Sequence, residues 1–385
     1  VLEVGLSGLL LDSPHTGTAA YTRNLVTALP GVAPEFRYRL FIRNATQAFE
    51  NVTVEQLRTP AARLHDSTAV GARVDKLLWE TAVLPAAALR RGEGVLHSLH
   101  FAAPVLSPTP VVVTVHDLIL LALPGYYRSR WAQVYARLMT WTAQRAAAIV
   151  TVSEHARADV LRLLRVPEER VFVTPEAADA HCTPIAQSNE REQLQARYGL
   201  PDRFVLYLGG AERRKNLETL IRAWAAVAPV MAREEVRLVI VGAFPRPDRL
   251  YPDTPGLVRA LGTQNTVQLI PAVAEADKPA LYRLALLFCF PSTYEGFGLT
   301  PLEAMACGTP VIVANATSIP EVVGDAGRLL PARDVQAWAD TIRSLVQCAR
   351  EREVLRERGL ARAATFSWNR TAIQTADVYR WVLAR

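Results

Sequence analysis

Short β-branched runs alternate with helical patterns along almost all of the 385 residues, and that alternation restricts the chain to parallel sheets covered by helices. In the first half the runs are Leu2–Leu6, Val111–Val115, Ile149–Val152 and Val171–Thr174. In the second half they are Phe204–Leu208, Arg237–Val241, Val267–Ile270, Leu286–Phe290 and Pro310–Ala314. A chain of this length exceeds the size at which one hydrophobic core usually stops growing, so two domains are expected. The polar segment Ala177–Gln195, which contains Pro184, reads as the linker between two doubly wound halves.

Chemistry collects just after these strands. Ser7-Gly8 and the loop to Gly17, His116-Asp117, Ser153-Glu154, Glu176, Gly209-Gly210, Gly242 and Glu295 all follow one. Open parallel sheets bind ligands outside the carboxyl ends of their strands, so two such halves would converge these groups on one cleft. The densest stretch runs from Tyr294 to Gly308 and places Glu295 and Glu303 on either side of a glycine-rich loop and a helix start. Thr300 reads as the N-cap, Pro301 as the first helical residue and Gly308 as the stop. Carboxylates accept from sugar hydroxyls, while free N–H groups at a helix N-terminus favour an anion. The pattern therefore suits a ligand that carries both hydroxyls and phosphate. Thr300-x-x-Glu303 is also a capping box, which gives Glu303 a second, structural reading.

Arg213-Arg214-Lys215 precedes the helix expected over Leu217–Val227. Three cations there oppose the helix dipole, and an anion between them and the helix would reverse that penalty. The plain alternative is a solvated basic turn. His116 at a strand end has structural and ligand-binding readings, and His97 and His100 are equally open. The loop Ser13–Tyr21 carries Gly17 but no Gly-x-Gly-x-x-Gly fingerprint, which disfavours dinucleotide binding.

Composition narrows the classes further. A net charge of +6 is modest for this length, so nucleic acid is not an expected partner, while weak contact with anionic lipid stays open. Lysine occurs only at Lys76, Lys215 and Lys278, which singles out the one in the basic turn. Cys182, Cys289, Cys307 and Cys348 show no metal-ligand or Cys-x-x-Cys spacing, so a reducing, cytoplasmic setting is expected. In that setting the Asn44-Ala45-Thr46 sequon carries no weight. Neither a long apolar span nor a leader-like segment is visible.

The Tyr294–Gly308 stretch resembles the Glu-x7-Glu motif of the retaining glycosyltransferases of family 4, with the mannosyltransferase-like branch nearest. The resemblance covers nearly the whole chain, including Thr114-Val115-His116-Asp117, Ser153-Glu154-His155 and Thr317–Asp325. It implies the GT-B fold: an N-terminal Rossmann-like domain over residues 1–183 on the acceptor side, joined by a C-terminal helix over 367–385, and a donor-side domain over 184–366. It also implies donor binding by Gly17, Arg213, Arg214, Lys215, Glu295, Gly296, Phe297, Gly298, Leu299, Thr300 and Glu303, with His116, Lys215 and Glu295 catalytic. Lys215 matches the lysine of the family's Arg-x4-Lys pair, whereas Gly210 stands in place of the arginine, which leaves Arg213 or Arg214 to replace it.

The expected reaction moves a hexose from a nucleotide diphosphate sugar to a hydroxyl of a glycan or lipid-linked acceptor. No cofactor is expected, and no metal, since Asp-x-Asp is absent and the basic turn can hold the diphosphate. The setting is cytoplasmic, with peripheral contact at an inner membrane face left open. A nucleotide-sugar epimerase and a catalytically silent scaffold subunit share the fold and remain as alternatives. Glu295→Gln is expected to leave stability nearly unchanged, because Glu295 lies in a loop.

Overall fold

The computed structural model describes residues 2–12, 16–44, 47–59, 69–123, 130–186 and 188–385. Ser13, Pro14 and His15 of the first glycine-bearing loop, and Ala45 and Thr46 of the sequon, lie outside the described residues. The chain divides into two compact units, one of Val1–Glu176 with Ser367–Arg385 and the other of Ala177–Phe366. Each is a parallel sheet with helices, and no described helix is long and apolar enough to cross a membrane.

The first unit contains β1 (Leu2–Ser7), β2 (Phe36–Ile42), β3 (Val52–Gln56), β4 (Val95–Ser98), β5 (Val111–Val115), β6 (Ala148–Thr151) and β7 (Val171–Val173). They pair in the order β3-β2-β1-β4-β5-β6-β7, every pair parallel. β5 is buried along its whole length, which is why it reads as an unbroken apolar run. β2 escapes that reading because Arg37 and Arg39 interrupt it. Arg39 is neutralised across the sheet by Glu93 at 2.8 Å, Glu3 at 3.3 Å and Glu55 at 3.5 Å.

The final helix, Trp368–Leu383, is capped by Ser367, whose hydroxyl accepts from the Arg370 N–H at 3.2 Å, and packs on the helix Gly17–Val32. Buried His97 fixes it to the sheet. Its Nδ1 lies 2.7 Å from the Tyr379 hydroxyl and its Nε2 2.8 Å from Thr114 Oγ1. Burial and nearby His116 push His97 down to about 3, so the ring is neutral. Tyr379→Phe should therefore cost about 1–3 kcal/mol by leaving a buried ring nitrogen unpaired. Urea unfolding reads this directly; an unshifted midpoint would show that the bond contributes nothing.

The second unit contains β8 (Arg203–Leu208), β9 (Val236–Val241), β10 (Val267–Ile270), β11 (Leu287–Phe290), β12 (Val311–Ala314) and β13 (Arg328–Leu330). Their order is β10-β9-β8-β11-β12-β13, again all parallel. The segment expected to be wholly linker is shorter than 177–195, because Glu190–Tyr198 is helical. Arg283 forms a buried ion pair with Glu190 and so ties that helix down. The helix after the basic turn also runs further than expected, from Leu217 to Arg233.

Candidate active site

In the second unit the strand order reverses between β8 and β11, so the loops that follow these two strands flank a topological switch point. The loop after β8 carries the basic turn, and the loop after β11 carries Glu295. Asn216 adopts a left-handed conformation, φ 56°, and its side-chain amide donates to Pro291 O at 3.1 Å and Ala332 O at 2.6 Å. Arg214 O accepts from the Thr293 N–H at 2.7 Å and from its hydroxyl at 3.0 Å. These bonds hold the two loops together.

Two cations converge there on one carboxylate oxygen. Lys215 Nζ lies 2.6 Å and Arg214 Nη1 3.0 Å from Glu295 Oε1, and the Ser292 hydroxyl donates to the same oxygen at 2.6 Å. Arg214 also donates to Tyr294 O at 3.1 Å. Burial pushes the Glu295 carboxyl up, but the charges of Lys215 and Arg214 and the hydrogen bonds outweigh it, leaving the group below its usual value. Arg213 is turned away, exposed, with Nε donating to Arg249 O at 3.1 Å. Of the two arginines, the fold brings Arg214 to Glu295 and not Arg213. At Gly210 an added Cβ would crowd the Glu212 carboxylate, the end of a flexible side chain.

The Glu295 loop is held from behind. Thr317, at φ 51° an unusual conformation for a β-branched residue, presents its hydroxyl to the Glu295 N–H at 3.0 Å. The Ser318 hydroxyl donates to Glu295 O at 3.0 Å and Phe297 O at 2.5 Å. Phe297 is buried edge-on against Phe366, with ring centroids 5.9 Å apart. Gly296 follows Glu295 on the partly exposed side of the loop.

The helix that follows corrects the expected cap. It spans Leu299–Ala306, its N-cap is Gly298 at φ 126°, and no side chain caps it. Thr300 therefore lies inside the first turn, and Thr300-x-x-Glu303 is not a capping box here. Only glycine takes the Gly298 conformation readily, which lets the helix start before the proline. Leu299 and Thr300 remain partly exposed in the first turn. Gly308, at φ 79°, follows the C-cap and ends the helix as expected.

Glu303 instead accepts from the Tyr282 hydroxyl at 3.0 Å. Burial, with Glu275 and Asp179 adding to it, pushes its carboxyl up to about 7 against the pull of Lys278 and Tyr282. A folded-state value above the ordinary 4.5 means that the fold favours the protonated form. That contribution is intact below the ordinary value and is lost as pH rises through about 7. Glu303→Gln should thus gain thermal stability relative to the parent between about pH 5 and about pH 8. A difference independent of pH would show that the carboxyl does not titrate in that range.

In the first unit Gly17 is not in a loop: it is the first residue of the helix Gly17–Val32, capped by Thr16, whose hydroxyl accepts from the Ala19 N–H at 3.2 Å. Space is open beside its Cα, where an added Cβ would meet no described atom within 4 Å. His116, just after β5, faces acceptors on both sides: Glu176 Oε1 lies 2.9 Å from Nδ1 and Leu99 O 3.2 Å from Nε2. Satisfying both requires two ring protons. Burial disfavours that charge, but the Glu176 bond and charge, with the Leu99 carbonyl, overcome it and raise the pKa. Glu176 is thereby a partner of His116 that strand-end position alone does not assign. Ser292, Tyr282 and the bond from Arg214 to Tyr294 are likewise unreadable from spacing.

The family model for glycosyl transferases group 1 matches residues 190–362, and that for Glycosyltransferase Family 4 matches 16–181. The O-antigen chain mannosyltransferase B of Escherichia coli is 33% identical over 269 residues, 70% of this chain and 70% of that protein. The serotype-specific mannosyltransferase WbdA of Escherichia coli is 34% identical over 270 residues, 69% of this chain but only 32% of its own length. Among solved structures, sucrose-phosphate synthase from Thermosynechococcus elongatus covers 100% of both chains with a TM-score of 0.75 at 20% identity. Anabaena HepE, solved with UDP and glucose, covers 98% of this chain and 99% of its own, with a TM-score of 0.72 at 19% identity. These structural likenesses show the GT-B fold of two Rossmann-like parallel-sheet domains. The two family matches and the sequence relatives together establish that the chain belongs to glycosyltransferase family 4, in its mannosyltransferase-like branch.

Proposed function

We propose that the chain transfers a hexose, mannose in particular, from a nucleoside diphosphate sugar to a hydroxyl of a glycan or lipid-linked acceptor, with retention and without a divalent metal. The observation that carries this reading is the convergence of Lys215 and Arg214 on Glu295 at the switch point of the second unit. A diphosphate beside these cations would share them with Glu295, and the other sugar-facing acceptors would come from the loop Gly296–Thr300. Charge growing on the leaving phosphate is then met by Lys215, Arg214 and the N-terminus of the helix Leu299–Ala306, without reorganisation. Glu295, the carboxylate nearest these cations, is committed to two ion pairs and is not assigned as a nucleophile. The departing phosphate takes the acceptor's proton. Glu303 is assigned to the ribose, and His116, held by Glu176 and Leu99 O, to the donor sugar. The names of the mannosyltransferase relatives support the sugar.

Incubation with GDP-mannose, UDP-glucose and dTDP-glucose, with the anomeric product followed by proton NMR, tests the reading. Slow donor hydrolysis, faster with a mannoside acceptor and giving the α-product from an α-donor, is the expected result. Activity should survive exhaustive treatment with EDTA. Loss with EDTA and recovery with Mg²⁺ or Mn²⁺ would overturn the metal-independent part, and β-product the retaining part.

A further inference from the structure

A cavity of about 590 Å³ opens in the second unit beside the basic turn, a size usual for small-molecule sites. Its walls are the basic turn with the first turns of the helix Leu217–Arg233, the start of the helix Thr254–Ala260, Thr293, and Arg333 with Val335 at the start of the helix Val335–Gln347. Lys215, Glu295 and Glu303 do not line it. The basic turn is thus a partition. On one side Arg214 and Lys215 reach Glu295. On the other, Arg213 lines the cavity, held by its Nε on Arg249 O at 3.1 Å and its N–H on Leu250 O at 2.8 Å. Thr293 belongs to both sides, since it lines the cavity and binds Arg214 O through its N–H at 2.7 Å and its hydroxyl at 3.0 Å.

Charge selects the class of ligand. Arg213, Arg222 and Arg333 stand among Glu212, Glu218 and Asp253, so the lining carries no net charge. Some of these groups are already engaged: Arg222 holds Glu218 at 2.9 Å, and Asp253 accepts from the Gly256 N–H at 2.8 Å. Two are not. Exposed Arg333 makes no side-chain hydrogen bond or ion pair with any described residue. The Glu212 carboxylate, partly exposed, accepts no hydrogen bond among the described residues, with Arg214 Nη2 4.0 Å away. Spare donors and a spare acceptor in one neutral cavity match hydroxyls, which both donate and accept. A phosphate would meet Glu212, and a cation Arg333. Leu217, Leu257 and Val335 add apolar surface suited to the CH faces of a pyranose ring. We propose that this cavity is an accessory saccharide site, which holds a segment of the acceptor glycan away from the hydroxyl that reacts. The site stands on the cavity and its lining; that its saccharide is the acceptor rests on the function proposed above. A glycan long enough to reach both places gains affinity, because its second contact is made within one complex.

The test titrates the whole protein with mannotetraose, maltotetraose and inorganic phosphate by calorimetry, in the parent and in two variants. Arg333→Ala removes an exposed, unpaired cation beside a helix N-terminus, so the melting temperature should hold. Val335→Trp fills the cavity. A tetrasaccharide should bind the parent, bind Arg333→Ala about fivefold or more weakly, and fail to bind Val335→Trp, with GDP and UDP affinity unchanged in both variants. If Val335→Trp does not fold, Arg333→Ala decides alone. Three results would overturn the site: no saccharide bound to the parent, equal saccharide affinity in the parent and Arg333→Ala, or phosphate binding that Arg333→Ala abolishes while saccharides do not bind. Maltotetraose bound in place of mannotetraose would keep the site and correct the sugar. In transfer assays the acceptor KM should fall from a monosaccharide to a tetrasaccharide in the parent and stay level in Arg333→Ala; the same fall in both would overturn the acceptor role. Saccharide bound in the cavity without transfer from any donor would count against the proposed function and leave the site standing.

Discussion

Glu295→Gln should lose most of its turnover, unfold at a lower temperature than the parent, and recover more stability than the parent when a nucleoside diphosphate binds. The loop position of Glu295 suggests a residue whose replacement leaves stability nearly unchanged, but the fold makes it the shared counter-ion of Lys215 and Arg214, only 14% exposed along its side chain. Glutamine keeps the shape and the Ser292 contact yet removes the charge, which leaves two close cations facing each other. Breaking a fully buried pair typically costs about 3–5 kcal/mol, and the partial exposure of this cluster lowers the expectation to roughly 2–3. A bound diphosphate supplies the missing negative charge, so its stabilisation should exceed that of the parent at equal occupancy. The same linkage fixes the pH response. Because the folded-state pKa of Glu295 is depressed, its stabilisation is present above the ordinary carboxylate value and fades as pH falls through the depressed one. The acid limb of the parent's stability profile should therefore be steeper than that of the variant. Differential scanning fluorimetry with and without GDP or UDP decides the matter. A variant as stable as the parent, or one that transfers sugar normally, would remove Glu295 from the centre of the site.

How much of this is legible in the sequence depends on where each residue's partners lie. Strands buried on both faces announce themselves as apolar runs, and Val111–Val115 and Val267–Ile270 have the same bounds in sequence and structure. β2 and β4 carry Arg39 and His97, whose acceptability depends on Glu93 and Tyr379, far away in the chain. No local pattern reports such partners. The cap expected at Thr300 fails for a related reason: threonine before proline imitates a helix start, whereas Gly298 at φ 126° sets it. The pair Glu295 and Glu303, eight residues apart across a glycine-bearing loop and a helix start, is legible in the sequence. Their counter-ions, and the hydroxyls of Ser292, Thr317 and Tyr282 that aim them, are assembled only by the sheet order.

Lys215→Ala should lower kcat by about 10²–10³, the loss seen when one preorganised donor to a developing oxyanion is deleted. Its ammonium sits 2.6 Å from Glu295 and 5.1 Å from the centre of the Phe290 ring, with only 11% of its side chain exposed. A cation held in so sheltered a place is worth far more to a growing negative charge than one in water. The lysine stands in a tight turn before the helix Leu217–Arg233, where a positive charge opposes the helix dipole, so that helix should tolerate its removal. Arg214→Ala should raise the donor KM more than it lowers kcat, because Arg214 is also fixed to Tyr294 O and so acts as a stationary clamp. Arg213→Ala should be close to normal, since Arg213 is exposed and engaged with Arg249 O. Steady-state kinetics on the three variants, at saturating acceptor, separates these roles. If Arg213→Ala proved the most damaging, the turn would rearrange on donor binding and the present geometry would not be the productive one. If all three were near normal, the basic turn would be a solvated surface and the leaving group would have to be stabilised elsewhere.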